Sequence, residues 1–207
     1  MSRADRVAKR LEERGVDLLL VAHGPNLRYL TGFTGSNGMA VVGRDVRRFL
    51  TDFRYVERAK AEVQGFDLEP APQDLRTALA SGWPAGELRV GFEDQSVSVR
   101  RHAQLRETIP ERIELVAAGG LVEVERAVKE PGEVAAIRAA AALVDEIYAW
   151  LLERGLVGRT EREVALALEQ EMRVRGASGR PLSSGSRGPT KDPPRSSRRV
   201  ALRGARL

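Results

Sequence analysis

Only two imidazoles, His23 and His102, are available for metal or proton chemistry in this chain. Neither lies in an H-E-x-x-H pattern or has a second His nearby, so their spacing offers no zinc site. Carboxylates are plentiful in Glu123-Val124-Glu125, Asp145-Glu146 and Glu161 to Glu171, but they stand beside Arg and Lys on helical stretches. Solvated i,i+4 pairing accounts for that pattern, and no acid/base dyad stands out. Cysteine is absent, which excludes disulfides, thiolate ligands and a thiol nucleophile. Gly32, Gly35 and Gly38 form G-x-x-G-x-x-G followed by strand-like residues, so both the pattern and the helix N-terminus of a dinucleotide site are missing. These glycines read instead as backbone that must turn sharply. Gly185 to Lys191 lacks the Gly-Lys-Ser/Thr ending of a phosphate loop.

Chemistry must therefore be sought in what the elements bring together. Ser2 as N-cap, the stripe Val7, Ala8, Leu11 and the stop at Gly15 predict a helix over residues 3–14. Asp17 to Ala22 is a continuous apolar run, as in a strand covered on both faces. After the glycine-rich turns, Met39 to Val42 and Arg47 to Thr51 read as a hairpin joined at Gly43-Arg44-Asp45. A helix over Arg54 to Val63, a strand over Phe66 to Glu69 and a helix near Asp74 to Ala80 come next. Then follow a strand at Leu88 to Phe92, a helix at Val99 to Thr108 and a strand at Ile113 to Ala117. Alternating strands and helices predict an α/β domain built on a mixed sheet.

Gly119-Gly120 marks the predicted boundary, giving a domain over residues 1–120. Beyond it, Pro131 opens a long amphipathic helix through Ile137, Val144, Ile147 and Leu151 to Gly155, and Thr160 with Glu163 forms the capping box of another. Residues 121–177 thus read as a helical segment that follows the first domain. Residues 178–207 carry seven Arg and one Lys against one Asp and no aromatic residue. They are expected to be a disordered basic tail. The net charge of +5 resides there, leaving residues 1–177 at −2. Specific nucleic-acid binding is not expected, because the tail has cations without stacking residues or a reading element. The charged start Ser2-Arg3-Ala4-Asp5-Arg6 and the lack of any ~20-residue apolar run predict a cytoplasmic protein that does not enter a membrane.

Several segments together are similar to one family. Tyr29-Leu30-Thr31-Gly32-Phe33-Thr34-Gly35-Ser36, Phe49-Leu50-Thr51-Asp52-Phe53-Arg54-Tyr55, Val90-Gly91-Phe92-Glu93, Val128-Lys129-Glu130-Pro131-Gly132-Glu133 and Arg159 to Ala165 resemble the creatinase/aminopeptidase P/prolidase group of Xaa-Pro peptidases. The resemblance runs to about Gly176 and stops abruptly. It implies a creatinase-type N-terminal domain followed by the first helices of an incomplete α+β pita-bread domain. It also implies metal-dependent hydrolysis of the bond before proline in dipeptides or short peptides, and a homodimer in which the N-terminal lobe helps to enclose substrate.

In the family, two divalent metals (Mn, Co or Zn) are held by two Asp, one His and two Glu, and no counterparts are found in this sequence. The expectation is therefore no metal ligand, no catalytic residue and no activity in this chain. The abrupt change to Arg- and Pro-rich text reads as a truncated or out-of-frame end. By the same analogy Phe33, Arg54 and Tyr55 are the candidate substrate-mouth residues, with Arg54 able to pair with a peptide carboxylate. The plainer reading pairs Arg54 with Asp52 and packs Tyr55. A non-catalytic dimerisation or binding module, using the stripe around Ile137, Val144 and Leu151, is the alternative function.

Overall fold

The computed structural model describes residues 1–177, so the expected basic tail lies outside the described residues. Helix α1, Arg3–Glu13, starts where the sequence supplies a reciprocal cap: Ser2 Oγ accepts from the Asp5 amide, and the Asp5 carboxylate accepts from the Ser2 amide. Ala4, Val7, Ala8 and Leu11 turn inward. Strand β1, Leu18–Val21, is buried at every position, as its unbroken apolar run requires.

The chain continues through α2 (Gly24–Thr31), β2 (Gly38–Gly43), β3 (Arg47–Asp52), α3 (Val56–Glu62) and β4 (Asp67–Ala71). A 3₁₀ turn at Leu75–Ala80 precedes β5 (Leu88–Phe92), α4 (Val99–Thr108), β6 (Ile113–Ala117) and α5 (Leu121–Ala127). The strands form one six-stranded sheet in the order β4-β3-β2-β1-β5-β6. β2 is antiparallel to both β1 and β3, whereas the β1–β5, β3–β4 and β5–β6 pairs are parallel. The expected mixed α/β sheet is what forms. Pro70 stands opposite Thr51 in β4, an edge strand, where its missing N–H costs no inner ladder bond.

Alternation along β1 divides the core. Leu19 and Val21 join Val7, Leu11, Leu27, Phe33 and Leu121 on one face. Leu18 and Leu20 join Leu79, Trp83, Val90 and Leu105 on the other. Gly91 in β5 lets Ala118 come close, since a Cβ there would stand 2.6 Å from the Ala118 methyl.

Two compact units result, Met1–Val128 and the segment from Lys129 onward. α5 belongs to the first, because Leu121 and Val122 sit in the core beside α1 and α2. The second contains α6, Pro131–Arg154, and α7, Glu161–Val174. α6 has the predicted Pro at its first turn, and α7 has the predicted Thr160–Glu163 box. Among the described residues no helix is long and apolar enough to cross a membrane.

Candidate functional site

Pro25 at the first turn starts α2, and Gly32 ends it in the left-handed region (φ 81°), with its amide donating to the Arg28 carbonyl. The chain then folds over Phe33, whose ring is 2% exposed and meets Phe49 edge-on at 4.9 Å and Tyr55 at 5.9 Å. Gly35 permits this cover. A Cβ at that position would lie 2.3 Å from Phe33 Cζ and 2.8 Å from Tyr55 Cδ1. Ser36 Oγ and the Tyr55 hydroxyl are 2.6 Å apart, and Thr34 ties the loop to α3 through two 2.7 Å bonds to the Glu62 carboxylate.

Asp52, at the end of β3, is fully buried and accepts from the Arg54 amide and Nε at 2.9 Å and from Nη2 at 2.8 Å. Asn37 Nδ2 donates to the same carboxylate. The Arg54 bonds, then Asn37, outweigh desolvation and hold Asp52 far below the ordinary carboxylate range. The Arg54 side chain remains 45% exposed and passes over the Tyr55 ring at 5.5 Å. The fold therefore brings Phe33, Arg54 and Tyr55 into one cluster. Phe33 is its buried floor, Tyr55 its half-buried wall and Arg54 its outer edge.

A second polar cluster carries no functional assignment in the sequence reading. Glu93 follows β5, is 4% exposed, and accepts from the Ala22 and His23 amides through Oε2 at 2.8 and 2.7 Å. His23 is the N-cap position of α2 and provides no side-chain cap, and the two amides that Glu93 binds, those of Ala22 and His23, lie just ahead of the helix. Asn26, fully buried, donates from Nδ2 to Glu93 Oε1 at 2.7 Å and to Glu123 Oε1 at 2.6 Å, while accepting from Arg126 at 2.8 Å. Burial, with a smaller push from Glu123, raises the Glu93 pKa above its ordinary value despite these hydrogen bonds. The available signal was the carboxylate closing Val90-Gly91-Phe92-Glu93, yet its partners lie 67 to 71 residues away.

Beside this network a cleft of about 400 Å³ opens at the carboxyl ends of β1 and β5, where His23, Met39, Phe92, Ser98, Arg101 and Leu105 line it. His23, Glu93 and Glu123 bring ligand-type atoms within 4.8 Å of one another. The dinuclear centre that the resemblance implies would need two Asp, one His and two Glu. This trio has no Asp, and Asn26 already bonds to both of its carboxylates. The described residues do not fit that dinuclear centre, and no chemical step can be assigned to it here.

Residues 3–128 match the family described as the Creatinase/Prolidase N-terminal domain. The uncharacterized peptidase YqhT of Bacillus subtilis (strain 168) is 37% identical over 164 residues, covering 79% of this chain and 46% of that protein. An Xaa-Pro dipeptidase from Bacillus anthracis superposes with a TM-score of 0.75 at 26% identity, covering 84% of this chain and 49% of the dipeptidase. The N-terminal domain of the cytoplasmic peptidase PepQ from Mycobacterium tuberculosis H37Rv superposes at 0.52 with 29% identity, over 59% of this chain and 96% of that domain. The chain spans about half the length of the full-length relatives. With its mixed six-stranded sheet and the 3–128 match, the chain belongs to the creatinase/prolidase N-terminal domain family, among Xaa-Pro peptidase homologues.

Proposed function

We propose that this chain is the N-terminal lobe, with the first helices of the catalytic domain, of a cytoplasmic homodimeric Xaa-Pro peptidase that hydrolyses the bond before proline in short peptides. The observation that carries this reading is similarity to an Xaa-Pro dipeptidase over 84% of the chain, which extends well beyond the N-terminal domain. Metal ions in the intact family supply an activated hydroxide, and their ligands belong to the part of the enzyme that follows. The reading includes that this chain alone does not hydrolyse peptides, and it is supported by the absence of such a ligand set among the described residues.

The lobe's own contribution is recognition at the rim of the active site. Asp52 fixes the Arg54 guanidinium by paired bonds, so the cation is already oriented when a peptide carboxylate arrives. Phe33, itself packed edge-on against Phe49, supports Tyr55. In a full-length relative carrying the same Arg, replacement by Ala is expected to raise KM for an Xaa-Pro dipeptide about tenfold, the loss of one charge-assisted contact. An unchanged KM removes the rim assignment. Proline release from Ala-Pro by the purified 207-residue chain with added Mn²⁺ removes the proposal of inactivity.

A further inference from the structure

The connections that leave β1 and β5 part to opposite faces of the sheet. The two strands are parallel neighbours. From Val21 the chain runs into α2, whose Leu27 and Leu30 pack with Leu19 and Val21. From Phe92 it runs into α4, whose Leu105 packs with Leu18 and Leu20 on the other face. Adjacent parallel strands with diverging connections leave a crevice beyond their carboxyl ends, which is where open α/β sheets take small ligands. The cleft of about 400 Å³ occupies that crevice, and it falls in the lower part of the roughly 300–1,000 Å³ range of ligand pockets.

The lining of the cleft is of two kinds. Leu20, Met39, Phe92 and Leu105 are buried and make an apolar wall. His23, ahead of α2, and Ser98 and Arg101, at the start of α4, make a polar one. Ser98 Oγ accepts from the Arg101 amide and keeps its own proton to donate. Arg101 is half-buried, and among the described residues its guanidinium closes no hydrogen bond or ion pair. Asp74 feels its charge but is bonded to Arg76. Glu93 also lines the cleft, yet both its oxygens are engaged by the Ala22 and His23 amides and by Asn26. A guanidinium whose donors are free at the edge of a cleft is suited to an oxyanion, which it meets with paired bonds. We propose that this cleft binds a small organic anion, with a compact apolar body against the Leu20, Met39 and Phe92 wall and a terminal carboxylate or phosphate on Arg101 and the Ser98 hydroxyl. The positive end of α4 reinforces that preference for negative charge. The assignment is independent of the peptidase reading, because it uses side chains of the first unit alone.

The test titrates hydrocinnamate, its neutral amide and phenyl phosphate into the isotopically labelled 207-residue chain and follows backbone amide shifts by NMR. One of the two anions is expected to shift Gly24, Phe92, Val97 and Arg101 with a Kd of about 1 mM, as befits so small a ligand. Tighter binding of hydrocinnamate identifies a carboxylic acid as the occupant, and tighter binding of phenyl phosphate a phosphate ester. Either supports the anion cleft. The neutral amide should bind about tenfold more weakly, and Arg101→Gln should weaken the anion by a similar factor without changing the melting temperature. Arg100→Gln, at the exposed neighbouring position, should leave the Kd unchanged. Shifts confined to residues 178–207, equal binding of hydrocinnamate and its amide, or an affinity indifferent to Arg101→Gln would each overturn the proposal. So would the lack of any cleft shift at about 20 mM of either anion.

Discussion

Asn26 Nδ2 donates to Glu93 Oε1 across 2.7 Å, joining α2 to the end of β5 through two side chains that are nearly or wholly buried. The same nitrogen reaches Glu123, so one neutral amide separates two carboxylates. Replacing Asn26 by Ala removes two donors to charged acceptors and leaves Glu93 facing Glu123 in a poorly hydrated space. A loss of about 2–4 kcal/mol is expected in urea unfolding. A loss below about 0.5 kcal/mol, the range of an ordinary surface substitution, would show that the amide is not holding the network.

The raised pKa of Glu93 has a definite sign in a pH titration of stability. Its folded value lies above the ordinary 4.5, so the folded chain binds this proton more tightly than the unfolded chain. That contribution is complete below the ordinary value and is lost as pH rises through the folded one. Relative to the parent, Glu93→Gln should therefore gain melting temperature as pH increases from 4.5, then level off. A difference that is flat with pH contradicts the assignment, whatever the constant offset from the altered hydrogen bonds.

Asp52 and Glu125 act in the opposite direction. Arg54 lowers Asp52 from 3.8, and Arg10, aided by Arg6, lowers Glu125 from 4.5. Their stabilisation is present above those ordinary values and disappears as pH falls through the lower folded ones. Asp52→Asn should flatten the acid limb below pH 3.8, and thermal melts across that range measure the slope directly. An unaltered slope would mean that Asp52 is not a main source of acid sensitivity.

Gly35→Ala tests the cover over Phe33. The added methyl would lie 2.3 Å from Phe33 Cζ, so the ring must move away from Phe49 or the loop must lift. Overpacking of this kind costs about 1–3 kcal/mol. Chemical denaturation measures it, and a neutral result would indicate that the loop adapts freely.

The strands and most helices were readable because their signals are local. Leu88–Phe92, Val99–Thr108 and Ile113–Ala117 occupy the predicted residues, and Thr160 caps α7 through the pattern its spacing announced. Helix α2 was missed for a physical reason. Asn26, Leu27, Tyr29, Leu30 and Thr31 are all buried, so no polar face gives the segment a visible period. Its Pro25 start and Gly32 stop were the remaining signs. The strand before Pro70 continues through it to Ala71, which edge placement allows and an isolated reading of proline does not foresee. At the candidate rim, local sequence was enough to suggest the Asp52–Arg54 pair. The Glu93 cluster depends on contacts across the sheet and was visible only as an unexplained carboxylate.

The strand order has a consequence for synthesis. Because β4, β3, β2 and β1 are neighbours and all precede Ala71, that side of the sheet can assemble while later residues are still being translated. The other edge of β1 has its partner only in Leu88–Phe92. Between those two moments the nascent protein displays an apolar strand, Leu18–Val21, with one row of peptide groups waiting for a mate. Ribosome pausing in that interval would prolong the aggregation-prone stage, and faster passage through the codons for residues 72–92 would shorten it.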